Sequence, residues 1–201
     1  MTPSEFREMI ERRSDAEMLA PCLTDDAVPF AFDADSNAWS AFRRSLAAEL
    51  EAAPADIRLV GSGRLGFSLK PRARLRAFRE TSDLDLLVVS ASAFDAIWQA
   101  LLEAVYPRGV SNLGPWIAAR RNEVYTGWVS PTDITLDRQI FGPRVDPLLA
   151  RSTQWFNALK KASAHVVRRH ESIKARLYRT WRHAELYHLY SLSELRESLA
   201  H

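Results

Sequence analysis

A single cysteine stands in 201 residues. Cys22 therefore has no partner for an internal disulfide and no second thiolate for a zinc set, and it reads as a small buried thiol. Long apolar runs are also missing. None approaches the roughly 18 residues that cross a bilayer, and the opening MTPSEFREMIERR lacks the apolar stretch of a secretion signal. A cytoplasmic protein without membrane partners is expected. Charge of one sign is scarce as well: a formal net charge of +2 with a pI ≈ 8.8 is too mild to argue for nucleic-acid binding by itself. No internal repeat, low-complexity tract or long linker interrupts the chain.

What is present fits an ordinary globular domain. Hydrophobic residues make up 47% and charged ones 26%, the usual proportions, and a chain this long buries one core with at most a helical appendage. The charge is spread unevenly. Residues 151–201 collect Arg168, Arg169, Lys174, Arg176, Arg179 and Arg182 against few acids, a distribution that suits a phosphate-bearing partner.

Periodicity places the elements. Phe6, Met9, Ile10 and Met18 recur at near-helical spacing and predict a helix over Ser4 to Leu19. Ser36 reads as the cap of a second helix lined by Trp39, Phe42, Leu46 and Leu50 and closed by Pro54. Ile57 to Val60 reads as a short strand and Leu84 to Val89 as a buried one. Ser92 begins a third helix, which runs through Val105 and ends at Pro107. Pro115 opens a short helix toward Arg121. Val124 to Val129 and Thr132 to Leu136 are expected as strands on either side of Ser130-Pro131. Beyond Gly142-Pro143 the chain reads as mostly helical, with Ile173, Leu177, Trp181 and Ala184 sharing a face that packs on the core.

Gly61-Ser62-Gly63-Arg64-Leu65-Gly66 spells the dinucleotide-binding fingerprint, and an acid follows roughly 20 residues later, where a ribose-binding acid belongs. Order argues against that reading. In the dinucleotide fold the acid comes after the second strand's apolar run, whereas Asp83 and Asp85 precede Leu86 to Val89. The segment between also carries Pro71 and several arginines where a continuous crossover helix is needed. A plain glycine turn is one alternative. The other is a phosphate loop, in which backbone N–H groups point at an anion, glycine permits close approach and Ser62 adds a hydroxyl donor.

Asp83 and Asp85 lie two apart on a strand, so their carboxylates leave the same face about 6–7 Å apart at the backbone. Left alone they repel and raise each other's pKa. Magnesium, which binds through one or two carboxylates plus substrate phosphates, would hold both ionised. A pair of such ions roughly 3.5–4 Å apart activates the attacking oxygen and steadies the leaving one. The competing reading is an exposed Ser-Asp turn that merely starts a strand.

The stretches IRLVGSGRLGFSL and TSDLDLLVVS, together spanning Ile57 to Ser90, resemble the signature of the DNA polymerase β-like nucleotidyltransferase superfamily: an apolar strand, Gly-Ser, a spacer, then Asp-x-Asp in an apolar strand. The resemblance implies a nucleotidyltransferase fold of the α/β class, a mixed β-sheet flanked by helices with a helical C-terminal region. It implies a catalytic domain over residues 1–150 and C-terminal helices over 151–201 packed on it. Gly61, Ser62, Arg64 and Ser82 form the expected nucleotide-binding set. Asp83, Asp85 and a third carboxylate from a later strand would hold two Mg2+ ions and carry catalysis. Asp133 is the leading candidate for that third acid, since a strand there turns Asp133, Thr135 and Asp137 to one face; Glu123 and Asp137 are alternatives. The long spacer resembles that of larger members, such as cyclic-oligonucleotide synthases and terminal nucleotide-adding enzymes.

The implied reaction is transfer of a nucleoside monophosphate from a nucleoside triphosphate to a hydroxyl acceptor, which could be a nucleotide, an RNA end, a protein or a small molecule, with release of pyrophosphate. Without the third acid, the same fold would bind nucleotide as a regulatory protein and transfer nothing. A third possibility is a nucleic-acid-binding module built on the arginine-rich spacer (Arg72, Arg74, Arg76, Arg79) and the basic tail. Tyr125, Trp116, Trp128 and Trp155 could stack on a base or fill a core. His165, His170, His183 and His188 show no metal-ligand constellation beyond pairs five apart.

Overall fold

The computed structural model describes residues 1–106, 120, 122–134, 136 and 138–200. The helix expected from Pro115 toward Arg121, with Trp116, and the alternative acid Asp137 fall wholly or largely outside these residues. At the N-terminus the helix expected over Ser4 to Leu19 is two helices, α1 (Pro3–Arg12) and α2 (Asp15–Leu19). Each begins with its own capping box: Thr2 with Glu5, then Ser14 with Glu17. Ser14 leaves the helical path to cap the second helix, which breaks the first. Helix α3 (Ser36–Leu50) is capped by Asp35 rather than Ser36. The Asp35 carboxylate accepts from the N–H groups of Asn37 and Ala38 at 3.0 and 2.9 Å. Its apolar face is the expected one, with Trp39, Phe42, Leu46 and Leu50 all buried.

Four strands make one mixed sheet in the order β1-β2-β4-β3. They are β1 (Ile57–Val60), β2 (Leu84–Val89), β3 (Trp128–Val129) and β4 (Ile173–Tyr178). β1 is antiparallel to β2, β2 is parallel to β4, and β3 is antiparallel to β4. The one-turn helix α4 (Ser62–Leu65) follows β1, and α5 (Ala91–Val105), capped by Ser90, follows β2. The short α6 (Arg138–Phe141) leads into the long α7 (Asp146–Ala162), and α8 (Trp181–Ala200) ends the described chain. The chain is thus mixed α/β, as expected at that level.

Three element expectations are corrected. Residues 122–125 are helical and only Trp128 and Val129 join the sheet, so the strand expected over Val124 to Val129 shrinks to its end. Pro131–Asp133 is a 3-10 turn rather than part of a strand; Ile134 and Leu136 are buried, so their alternation reflects burial without pairing. The largest correction is β4, read as helical and found between β2 and β3. Its residues Ala175 and Leu177 are buried in the main core while Lys174 is exposed: the period is two, not 3.6.

The sheet has helices on both sides. Leu59, Leu84, Leu86, Val88, Ala175 and Leu177 join the main core with residues of α3, α5 and α7. Val60, Leu87, Val89 and Tyr178 pack on the other side with Ala184 of α8. Alternation along β2 puts Asp85 on the same side as Leu87 and Val89, so the aspartates open toward α8. That helix is tied to the N-terminal pair by Arg196, whose guanidinium donates to the Asp15 carboxylate at 2.9 and 2.7 Å, to the Arg13 carbonyl at 2.6 Å and to the Ile10 carbonyl. Among the described residues no helix is long and apolar enough to cross a membrane.

Candidate functional site

The glycine loop is a one-turn helix between two special glycines. Gly61 has φ 62°, ψ −139° and Gly66 has φ 87°, backbone conformations that side-chain-bearing residues adopt only under strain. A Cβ on Gly61 would stand 3.5 Å from Asp85 Oδ2, and one on Gly63 would meet Leu84 Cδ2 at 2.6 Å. A side chain at Gly63 would have to displace the buried Leu84 side chain, so the fold brings the loop close against the aspartate strand. The dinucleotide reading fails on topology. That fold joins parallel strands through a crossover helix, whereas β1 and β2 are antiparallel.

Asp83 and Asp85 share a side at the end of β2, but their surroundings differ. Beyond the end of β2 the pairing with the β4 chain continues: Leu84 N–H donates to the Ser172 carbonyl at 2.8 Å and Glu171 N–H to the Ser82 carbonyl at 3.1 Å. This brings Ser172 and Lys174 to Asp83. The Ser172 hydroxyl donates to Asp83 Oδ1 at 2.6 Å, and Lys174 Nζ donates to Oδ2 at 2.5 Å. Burial pushes the Asp83 carboxyl up, but those two hydrogen bonds and the Lys174 and Lys70 charges outweigh it and hold the group below its ordinary value. Lys174 is raised in return, chiefly by its hydrogen bond to Asp83. Asp85 goes the other way. Burial raises its carboxyl, and the Lys70 and Arg176 charges only partly oppose that.

Both aspartates open into a cleft of about 510 Å³ that Gly61, Ser62 and Ser82 also line. The Ser82 hydroxyl accepts from the Arg79 N–H at 3.0 Å, which fixes the turn before Asp83. Cations from two directions complete the lining: Lys70 and Arg76 from the spacer, and Lys174 and Arg176 from β4. Arg176 forms no salt bridge among the described residues. Its guanidinium lies 5.2 Å from the Trp128 ring centroid and 5.0 Å from that of Tyr187, which preorganises it as a cation–π partner. From α8, His188 borders the cleft with its Nε2 buried and without a hydrogen-bond partner among the described residues. Burial, then the Arg176 charge, lowers its pKa to about 4, so it is neutral near pH 7. Four cations around one concave mouth suit an anion with several phosphates.

Two members of the expected site do not line this cleft. The Arg64 guanidinium does not line the cleft. It is buried and donates to the Pro21 carbonyl at 2.6 Å and the Asp25 carbonyl at 2.8 Å, holding the segment after α2 rather than a nucleotide. Asp133 is exposed at the end of its 3-10 turn and borders a separate cavity of about 90 Å³ together with Asp85, Lys174 and Arg176. The alternative acid Glu123 is paired with Arg120 at 2.6 Å. Tyr125 is 90% exposed and Trp155 lies in the core, so neither is a stacking surface in this cleft. Cys22 is buried, as expected, and burial raises its thiol to about 12.

Among the described residues no three His, Cys, Asp or Glu form a group able to hold a metal. Asp85 has no hydrogen-bond donor on its carboxylate among the described residues and faces the cleft, whereas both oxygens of Asp83 are engaged. One hard cation arriving with phosphates fits Asp85. It would neutralise phosphate charge there.

Compared with known proteins, the chain matches no family model, no curated protein and no solved structure. Sequence reasoning misses Lys70, Ser172 and His188 as candidate-site residues, and it takes Lys174 and Arg176 only as members of a basic tail suited to a phosphate-bearing partner, without placing them beside the aspartates. A signal for two of them exists in the alternation of Ile173-Lys174-Ala175-Arg176-Leu177. It is masked because Ile173, Leu177, Trp181 and Ala184 also fit a helical period, which the true helix α8 then continues.

Proposed function

We propose that the cleft binds a nucleoside triphosphate and that the chain is a nucleotidyltransferase, transferring the nucleoside monophosphate to a hydroxyl acceptor with release of pyrophosphate. One observation carries this reading. The Gly61-Ser62 loop and the Asp83/Asp85 strand end, separate in sequence, meet at one mouth beside Lys70, Lys174 and Arg176. The nucleotidyltransferase-type fold belongs to the same proposal and is supported by the strand, Gly-Ser loop and aspartate strand lying in that order in a mixed sheet.

The residues divide the work by chemistry. The loop backbone at Gly61 and the Ser62 hydroxyl offer donors to phosphate oxygens, and Lys70, Lys174 and Arg176 neutralise their charge. Asp85, half-buried and without a hydrogen-bond donor among the described residues, can offer one carboxylate oxygen to a divalent cation arriving with the phosphates and the other to the proton of an acceptor hydroxyl. Bond making is in-line displacement at the α-phosphorus: the acceptor oxygen bonds to it, and the bond to the bridging oxygen breaks to free pyrophosphate. Positioning and charge supply most of the rate.

A second reading is favoured by one contact, the Lys174 ammonium seated on Asp83. With that carboxylate occupied, the cleft would bind nucleotide as a regulatory site without turnover. Incubation with each labelled nucleoside triphosphate and Mg2+, beside an Asp83→Ala/Asp85→Ala control, separates the two. Pyrophosphate release that the control lacks supports transfer. Saturable nucleotide binding without release under any acceptor supports the regulatory reading.

A further inference from the structure

Parallel pairing sets Lys174 directly beside Asp85 in register and one residue from the partner of Leu84. From there its side chain, 66% exposed, reaches across to Asp83, whose own side chain is 25% exposed. Ser172 takes the other Asp83 oxygen. The strand that borders the aspartate strand thus presents an ammonium and a guanidinium, Lys174 and Arg176, both lining the cleft. Whatever binds here meets positive charge from β4 where a multi-metal site needs carboxylates. A lysine on a flexible four-carbon stem is a movable point charge. Its present partner lies at the cleft wall, and phosphates in the cleft would be within its sweep.

We propose that Lys174 is a tethered counter-ion that does in this site what a second divalent ion would otherwise do. In the empty protein it neutralises Asp83. When a triphosphate enters, Lys174 transfers its hydrogen bonds to phosphate oxygens, Ser172 keeps hold of Asp83, and Arg176, fixed between Trp128 and Tyr187, grips the same phosphate chain. The site takes one divalent ion at most, and triphosphate binding does not depend on it. This rests on the nucleotide reading of the cleft.

The test is calorimetric titration of the full chain with a non-hydrolysable nucleoside triphosphate analogue, once in EDTA and once in Mg2+. Mn2+ bound per chain is counted alongside by electron paramagnetic resonance. Wild-type protein should bind the analogue in EDTA nearly as well as in Mg2+. Lys174→Ala should lose at least about tenfold in EDTA, the worth of one charge-assisted hydrogen bond, and Lys174→Arg should recover most of it. Lys174→Asp should gain a Mn2+ site in the absence of nucleotide, which wild type lacks, while circular dichroism shows all variants folded. Two Mn2+ ions on the wild-type chain, or analogue affinity indifferent to Lys174→Ala, would overturn the inference and leave the nucleotide reading standing. No binding of the analogue to wild type under either condition would overturn both.

Discussion

β2 and β4 lie side by side and run in the same direction, yet they meet the cleft with opposite charge. β2 brings Asp83 and Asp85, and β4 brings Lys174 and Arg176. Both strands bury their alternate residues in the same core, so the contrast belongs to the cleft side alone. The two aspartates also part company. The one that Lys174 hydrogen-bonds is held below its ordinary value, and the other is pushed up by burial, which the Lys70 and Arg176 charges only partly oppose. A pair of like charges has become an ion pair plus a single carboxylate raised by burial.

The largest effects should come from the part the strands share. Leu86→Ala in β2 and Leu177→Ala in β4, each buried in the core, should each lower unfolding free energy by about 2–5 kcal/mol. Denaturant titration checks this, and a much smaller loss from Leu177 would mean that β4 is not an integral strand of the sheet. Next comes the loop. Gly61→Ala forces a side chain onto φ 62° and should cost about 1–3 kcal/mol of stability, with nucleotide affinity reduced as the loop shifts; a neutral Gly61→Ala would place the loop in another conformation.

The contrast in legibility between the two strands has physical causes. β1, β2, the Gly-Ser loop and the two aspartates were readable because each is local: apolar, β-branched runs, a glycine at the strand end, and acids two apart. β4 was not, because its identity depends on pairing with a strand about ninety residues earlier, and its apolar residues also fit a helical spacing. Arg64 reads as a phosphate ligand by its place in the loop, but only the folded chain shows the carbonyls of Pro21 and Asp25 that claim it. Asp133 fails as a strand residue because Pro131 starts a tight turn that alternation does not reveal.

A smaller effect is confined to acid. The folded state keeps His188 neutral down to about 4, whereas its unfolded value is 6.5. The unfolded chain therefore binds the extra proton between these values, and stability, whole above 6.5, is lost as pH falls toward 4. Replacing His188 by Gln should flatten that decline. Urea midpoints at pH 7 and pH 5 measure it, and an unchanged slope would mean that the imidazole is not the titrating group. Smallest of all is the spacer. Arg72→Ala, at an exposed position outside the cleft lining, should shift stability by less than about 0.5 kcal/mol and leave nucleotide affinity alone. Arg76→Ala, within the lining, should weaken affinity, and equal effects from both would point to a diffuse basic surface.

Equilibrium titration of the chain with a fluorescent, non-hydrolysable nucleoside triphosphate goes straight to whether this cleft is a nucleotide site. Saturable binding to wild type that is lost in a Lys70→Ala/Arg176→Ala variant is the predicted result. No saturable binding to wild type, or the same curve for the variant, would contradict it.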